Sequence, residues 1–156
     1  MSRISKYVIS LFALLSVQAL AAPSAVEAFD KSVWSALLSD HRQPAIIVFS
    51  SVSCTHCPGA IERLAARRAV SQSATRLYVV LMDSDDDAAA LSSPHHRLAD
   101  RLFAFRGRVQ SLQYAVNPDW RGMTPYIAHV DGKGAVRFVL GEPDERTLVT
   151  WLRGKK

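Results

Sequence analysis

The sequence has only two cysteines, Cys54 and Cys57, among its 156 residues. This number excludes a network of several disulfides and a zinc site built from four cysteines. Basic residues form no run longer than a pair, which argues against a nucleic-acid-binding surface. Internal repeats are also absent. A hydrophobic share of 49% and a net charge of +5 are instead typical of one domain with a substantial core.

No uninterrupted apolar run reaches the roughly 20 residues that cross a bilayer. The apolar stretch 7–20 contains three polar residues, follows Arg3 and Lys6, and leads into the triplet Ala19-Leu20-Ala21. A basic start, a short apolar segment and an Ala-x-Ala site are typical of a secretory signal peptide. We therefore predict that residues 1–21 are cleaved after Ala21 and that residues 22–156 act in the periplasm. An uncleaved membrane anchor is the alternative.

The two cysteines form the motif Cys54-Thr55-His56-Cys57, which follows an apolar run over 45–49 and precedes a helix-like stretch. A helix N-terminus favours a thiolate, so Cys54 is predicted to be the attacking nucleophile. Cys57, one turn further on, is predicted to be the resolving thiol. A protonated His56 would add positive charge beside the Cys54 thiolate and make the disulfide more oxidising.

Other uses of a Cys-x-x-Cys motif fit less well. Attachment of c-type haem requires a histidine after the second cysteine, where this chain has Pro58. A purely structural disulfide across two residues would constrain the unfolded chain very little. The alternative from a different class is a Cu(I)-binding metallochaperone that uses Cys54, His56, Cys57 and Met123 as soft ligands.

The remaining sequence alternates between helical and strand-like patterns, which predicts an α/β domain. In chain order we predict a helix over 24–39, a strand over 45–49, the helix after the cysteines, a strand over 77–82, a helix from Ser93-Pro94 to about Phe105, a hairpin over 126–140 and a closing helix after Glu142. The polar residues Glu62, Arg68, His95, His96 and His129 are predicted to be exposed, the acidic run 83–87 to be a solvated loop, and Val70 and Met123 to be buried.

This order of elements resembles the thioredoxin superfamily. The landmarks are the strand 45–49 leading into the cysteine motif, the pair Thr124-Pro125 before a hairpin strand, and the closing amphipathic helix. The resemblance implies a thioredoxin-like fold with a mixed central sheet flanked by helices in a single domain. It also implies that Pro125 is a cis proline beside the cysteines and that Thr124 and Thr55 contact substrate.

Two departures from the family leave the direction of electron flow open. Ser53 replaces the usual tryptophan, and Val48 stands where thioredoxin has a buried aspartate. The Cys-x-His-Cys motif resembles oxidases of the DsbA type, whereas the size and the segment 117–122 resemble exported TlpA-like reductases. Isomerase activity is not expected, because the chain lacks the dimerisation region that periplasmic isomerases typically add.

The resemblance also implies what the protein works with. The redox-active disulfide Cys54–Cys57 would serve without a bound cofactor. The partners would be the thiols and disulfides of client proteins, and a membrane or periplasmic redox partner. We expect a monomer that binds no nucleic acid. A third class is a binding module that holds one client at the Thr124-Pro125 edge without turnover.

Overall fold

The computed structural model describes residues 21–40 and 43–153. The predicted signal peptide therefore lies, apart from Ala21, outside the described residues. Within the described ranges, no helix combines the length and the apolar character needed to span a bilayer.

The described residues form one sheet of six strands, with helices on both faces. The strands are β1 (Val26–Phe29), β2 (Ala45–Ser50), β3 (Arg76–Leu81), β4 (Arg101–Phe105), β5 (Tyr126–Val130) and β6 (Val136–Leu140). Their order is β1-β4-β3-β2-β5-β6. The first four of these neighbours run parallel, and β5 and β6 are antiparallel additions beside β2. This is the mixed central sheet that the sequence predicts.

Five helices and one short 3₁₀ turn surround the sheet in the described part of the chain. The helices are α1 (Lys31–Ser39), α2 (Cys57–Val70), α3 (Asp87–Ser92), α4 (Val109–Val116) and α5 (Glu145–Arg153), and the 3₁₀ turn spans His96–Leu98. The predicted strands over 45–49 and 77–82, the hairpin over 126–140 and the closing helix are confirmed, with ends that differ by one or two residues.

Strand β2 lies in the middle of the sheet and is buried along its whole length. Its side chains alternate between two hydrophobic layers, because successive residues of a strand point to opposite faces. Phe49 joins an aromatic layer that α1 and α4 cover. Ile46 and Val48 join an aliphatic layer that α2 and α5 cover. A strand buried on both faces explains the continuous apolar run at 45–49.

The predicted helix over 24–39 is partly wrong. Residues 26–29 form strand β1, which pairs in parallel with β4, and only Lys31–Ser39 is helical. The break falls at Asp30, whose carboxylate accepts hydrogen bonds from the backbone N–H groups of Ser32 and Val33 at 2.8 and 2.9 Å. Such an N-cap satisfies N–H groups that have no partner inside the helix.

The predicted helix from Ser93-Pro94 to Phe105 is wrong. The chain makes a single 3₁₀ turn and then enters β4, which lies between β1 and β3. Leu102, Phe103 and Ala104 are fully buried there because both faces of β4 are covered. A short apolar run of this kind has no periodicity that separates a buried strand from a buried helix. Helix α4 was not predicted.

Several predicted exposures are also wrong. Arg68 is 8% exposed because it pairs with the buried carboxylate of Asp100, and Val70, at the last turn of α2, is 77% exposed. His129 is 8% exposed, since its ring stacks on Trp151 beneath α5.

Candidate active site

The two cysteines lie where β2 leads into α2, as the sequence predicts. Strand β2 ends at Ser50, a short turn follows, and α2 begins at Cys57 itself. The N–H of Cys54 donates to the carbonyl of Ser51 at 3.1 Å, and the N–H of Cys57 donates to the carbonyl of Cys54 at 3.4 Å. Cys54 and Cys57 are joined in a disulfide, with their Cα atoms 5.5 Å apart.

The two sulfur-bearing residues differ in their access to solvent. Cys54 is partly exposed in the turn, whereas Cys57, the first residue of α2, is 1% exposed. Cys54 is therefore the more accessible of the two cysteines to a partner molecule. Thr55 and His56, which separate the cysteines, are both exposed.

The start of α2 places the partial positive charge of a helix N-terminus beside the cysteines. His56 is the N-cap residue and makes no capping hydrogen bond with its side chain, and the first turn of the helix contains no acidic residue. The partial positive charge of the helix N-terminus is therefore not offset by a carboxylate within the first turn. Such an environment stabilises a thiolate in the preceding turn.

The pair Thr124-Pro125 comes next to the cysteine turn through the pairing of β5 with β2. In the antiparallel pair, Tyr126 on β5 lies opposite Phe49 on β2, so the preceding residue Pro125 lies next to Ser50. Ser50 is the last residue of β2, and the cysteine turn begins directly after it. The peptide bond between Thr124 and Pro125 is cis. Pro125 is buried and Thr124 is partly exposed.

The loop before Pro125 is held by the segment 117–122. Trp120 stacks on Tyr126, with ring centroids 4.7 Å apart, and donates its indole N–H to the carbonyl of Met123 at 2.9 Å. Gly122 has a φ of +81°, and a Cβ there would lie 2.9 Å from the side-chain nitrogen of Gln113. The loop therefore requires glycine at this position. Met123 was predicted to be buried but is 56% exposed, because only its backbone is anchored.

A cleft of about 440 Å³ opens beside the disulfide. The loop after β3 and the segment around the 3₁₀ turn form its other walls. Residues that line the cleft include Cys54, Cys57, Pro58, Asp83, Asp85, Asp86, His95 and His96. The sequence prediction missed this group, since the two histidines lie about 40 positions from the cysteines and only the fold brings them together.

The histidines in the cleft differ from the exposed pair that was predicted. His96 is 8% exposed, and its Nδ1 lies 2.9 Å from the carbonyl oxygen of Ala90. His95 is partly exposed, and its ring nitrogens lie 3.0 and 3.2 Å from the Oγ of Ser93. Desolvation lowers the pKa of both imidazoles.

The acidic run is exposed apart from Ser84, but three of its carboxylates have partners, and that of Asp87 forms an ion pair with Arg106 at 3.0 Å. The Oδ1 of Asp83 accepts a hydrogen bond from the N–H of Val52 at 2.9 Å and so ties this loop to the cysteine turn. The Oδ1 of Asp86 accepts from the N–H of Ala89 at 2.9 Å and caps α3. The run is therefore one wall of the cleft as well as a solvated loop.

Comparison with known proteins shows similarity at the level of structure alone. No protein-family model matches the sequence, and no curated protein sequence matches it significantly. The structure superposes on a thiol:disulfide interchange protein from a Bacteroides species with a TM-score of 0.58 and 16% identity, over 87% of this chain and 91% of that one. The chain has a thioredoxin-like fold.

Two further solved structures support the same fold. A thiol:disulfide interchange protein of the thioredoxin family from Chlorobium tepidum gives a TM-score of 0.56 at 16% identity, over 77% of this chain and 85% of that one. A secreted disulfide oxidoreductase of Mycobacterium tuberculosis gives 0.50 at 14% identity, over 71% and 81%. The predicted α/β class and single domain are thereby confirmed for the described residues.

Within this thioredoxin-like fold, β2 offers no acid–base group to the cysteines. Val48 is fully buried between its neighbours Val79 on β3 and Ile127 on β5. Glu62, on α2, is exposed as predicted.

The copper alternative stays a prediction. Among the described residues, no group of three or more His, Cys, Asp or Glu side chains is arranged to hold a metal ion. In the disulfide form, moreover, neither sulfur is the thiolate that Cu(I) binding uses.

Proposed function

We propose that the protein is a thiol–disulfide oxidoreductase that exchanges the Cys54–Cys57 disulfide with protein clients. The observation that carries this proposal is the asymmetry of the disulfide: one partly exposed cysteine and one buried cysteine at the start of a helix. An accessible sulfur can be attacked by a client thiolate, and a buried partner can complete the exchange without meeting a second client.

The proposed exchange proceeds through a mixed disulfide. In the oxidising direction, a client thiolate attacks the Cys54 sulfur, the Cys54–Cys57 bond breaks, and the Cys57 thiolate leaves and takes up a proton. A second client thiolate then attacks the client sulfur of the mixed disulfide, so that the client gains a disulfide and the protein becomes a dithiol. The reducing direction runs through the same steps in reverse, with Cys54 attacking a client disulfide and Cys57 resolving the adduct.

Client binding is proposed at the surface beside Cys54. Thr124 is partly exposed at the edge where Pro125 meets the end of β2, and Thr55 is exposed in the cysteine turn. An extended client segment can pair with the backbone of Thr124 by strand addition, which places its sulfur near Cys54. This role is a proposal for both threonines.

The electrons are carried by the two cysteines, so we infer that the exchange needs no bound cofactor. A redox partner in the same compartment would restore the starting state after each client. We infer that this compartment is the periplasm and that residues 1–21 are removed during export, because disulfides persist in oxidising compartments. The secreted oxidoreductase among the similar structures supports this location. Mass spectrometry of the N-terminus of the exported protein checks the cleavage.

Cysteine variants test the exchange. Cys54→Ala is expected to abolish both reduction and oxidation of a client protein, because the accessible sulfur is lost. Cys57→Ala is expected to accumulate a client adduct on Cys54, visible by mass spectrometry and released by dithiothreitol. Activity that persists in the Cys54→Ala variant would contradict the proposed mechanism.

The reduction potential decides the direction. The thiol state is measured by mass after equilibration with glutathione buffers. A value near about −120 mV would identify a disulfide donor, and a value near or below about −230 mV would identify a reductase. Cysteines that never equilibrate as a pair would contradict a redox function altogether.

A further inference from the structure

One proton transfer in the proposed exchange has no evident partner. Cys57 must lose a proton before it can resolve a mixed disulfide on Cys54, because the thiolate is the nucleophile. Its surroundings disfavour that charge, since Cys57 is 1% exposed. Strand β2, which leads into the cysteine turn, has the sequence AIIVFS and so contains no side chain that readily accepts a proton.

His96 is held in one orientation at the wall of the cleft beside Cys57. Its Nδ1 lies 2.9 Å from the carbonyl oxygen of Ala90. A carbonyl oxygen only accepts hydrogen bonds, so Nδ1 is the donor and carries a proton. In the neutral ring the other nitrogen, Nε2, then has the free lone pair.

The Nε2 of His96 is the ring nitrogen that has no hydrogen-bond partner in the described residues, and His96 lines the cleft. This atom is also accessible to solvent. Within the described residues, the only fully buried side-chain nitrogen or oxygen without a partner is the Nε2 of His129, so the unpartnered Nε2 of His96 is not fully buried. The cleft of about 440 Å³ is lined by both Cys57 and His96. Liquid water occupies about 30 Å³ per molecule, so the cleft has room for a bridging water.

Titratable groups from several elements lie around His96 and the cleft that it lines. The ring of His95 lies next to that of His96, with their centroids 4.2 Å apart. Burial and the neighbouring His95 lower the pKa of His96, whereas the hydrogen bond to the carbonyl of Ala90 raises it. The negative charge of Glu62, on α2, raises the pKa of His95 and so opposes part of the lowering by burial. The loop after β3 contributes Asp83, Asp85 and Asp86 to the same cleft.

We propose that His96 is the general base for Cys57, acting through a water in the cleft. This inference rests on the proposed function. In the resolving step, the Cys57 thiol gives its proton through the water to Nε2 of His96. The Cys57 thiolate attacks the Cys54 sulfur, the Cys54–client bond breaks, and the client thiolate leaves. The imidazolium then returns the proton to the solvent or to the departing thiolate. In the oxidising direction the same group protonates Cys57 as it leaves.

The variant His96→Asn tests the role of Nε2 separately from that of Nδ1. The amide nitrogen of asparagine takes the place of Nδ1 and preserves a donor to the carbonyl of Ala90, whereas nothing replaces Nε2. The matched control is His95→Asn, which changes the adjacent imidazole in the same way. Thermal unfolding of both variants reports whether the segment between α3 and β4 is intact.

The two chemical steps are resolved with dithionitrobenzoate, an aromatic disulfide that releases a coloured thiolate in each step. Attack by Cys54 releases the first thiolate at a rate proportional to reagent concentration, and attack by Cys57 releases the second at a rate independent of it. We expect His96→Asn to slow the second phase by at least about tenfold, because general bases commonly contribute about 100-fold or more. The rate constant of the first phase in His96→Asn, and the rate constants of both phases in His95→Asn, should stay within about twofold of those of the unmodified protein.

The pH profile of the unmodified protein provides a test that needs no variant. With His96 as the internal base, the second phase is expected to be nearly flat from about pH 6.5 to 8, because the proton stays within the pair. A rise of about tenfold per pH unit over that range would mean direct ionisation of Cys57 to solvent and would overturn the proposal. An unchanged second phase in His96→Asn, or an equal loss in His95→Asn, would overturn it too. A protein that releases no second thiolate would instead refute the proposed oxidoreductase function.

Discussion

The indole N–H of Trp120 donates a hydrogen bond to the backbone carbonyl of Met123, across 2.9 Å. Trp120 is 6% exposed and packs in the aromatic layer against Phe49 and Tyr126. The same side chain thus belongs to the core and anchors the loop that ends at Thr124-Pro125. The position of the proposed client-binding edge therefore depends on core packing.

Replacing Trp120 with phenylalanine tests this connection. The change keeps an aromatic ring against Tyr126 but removes the hydrogen bond to the carbonyl of Met123, so we expect a loss of about 0.5–1.5 kcal/mol in the free energy of unfolding from this bond. The measurement is denaturant unfolding, together with KM for a client protein, which should rise. Trp34→Phe is the matched control, since Trp34 lies in the same layer and has no hydrogen-bond partner for its indole among the described residues. Equal KM values for the two variants would contradict the anchoring role.

His56 is predicted to make the disulfide more oxidising. It is exposed and lies between the two cysteines at the N-cap of α2, where a protonated imidazole would stabilise the Cys54 thiolate. Replacing His56 with proline removes that charge, so the reduction potential should become more negative by about 30 mV for each tenfold weakening of the thiolate. Glutathione equilibration measures the change. Thr55→Ala is the control on the adjacent position, and a potential that His56→Pro leaves unchanged would refute the role of His56.

His129 is predicted to make the fold sensitive to mild acid. Burial against Trp151 lowers the pKa of His129 from 6.5 to about 4, and its Nε2 has no partner. The unfolded chain therefore binds a proton more readily than the folded one, so stability is fully present above about pH 6.5 and is lost as the pH falls towards 4. We expect the free energy of unfolding to drop by about 2 kcal/mol between pH 7 and pH 5 from this group.

Substitution of His129 by phenylalanine should remove most of that pH dependence. The ring can still stack on Trp151, and no buried nitrogen is left without a partner. Denaturant unfolding at a series of pH values measures the effect, with His56→Asn as an exposed control. A slope that persists unchanged in His129→Phe would assign the pH dependence to other groups.

The ion pair between Arg68 and Asp100 is predicted to be essential for stability. The side chains are 9% and 8% exposed, and the Oδ2 of Asp100 also accepts the N–H of Leu77 at 2.8 Å. Arg68→Ala would leave a buried carboxylate without its cation, so we expect a loss of about 3–5 kcal/mol. Arg63→Ala on the same helix breaks an exposed pair with Glu142 and should cost about 1 kcal/mol or less. Similar losses in the two variants, measured by urea unfolding, would contradict this distinction.

The elements near the cysteines could be predicted because their signals are local. The run 45–49 is apolar at every position, the cysteine motif follows it directly, and α5 has one apolar face formed by Leu148, Trp151 and Leu152. Each of these patterns is contained within one element. Only the resemblance to thioredoxins, in contrast, drew attention to Thr124-Pro125, since an ordinary Thr-Pro pair has no distinctive pattern of its own.

The remaining features depend on contacts between distant parts of the chain. Residues 26–29 form a strand because they pair with β4. Residues 101–105 form a strand because they pair with β1 on one edge and with β3 on the other. The burial of Arg68 depends on Asp100, and that of His129 depends on Trp151. Such pairings are set by the tertiary structure, so no periodicity within one segment reveals them.

The sequence by itself determined where the two cysteine sulfur atoms of this protein lie, because it places two cysteines, separated by two residues, between an apolar strand and a helix. Only the tertiary structure decided what surrounds the Cys54–Cys57 disulfide. The sheet order brings Thr124-Pro125 to one side of it, and the packing of α3 and the 3₁₀ turn brings His95 and His96 to the cleft on another. A local motif fixes the two cysteines, whereas the residues around them come from distant positions that meet only when the chain has folded.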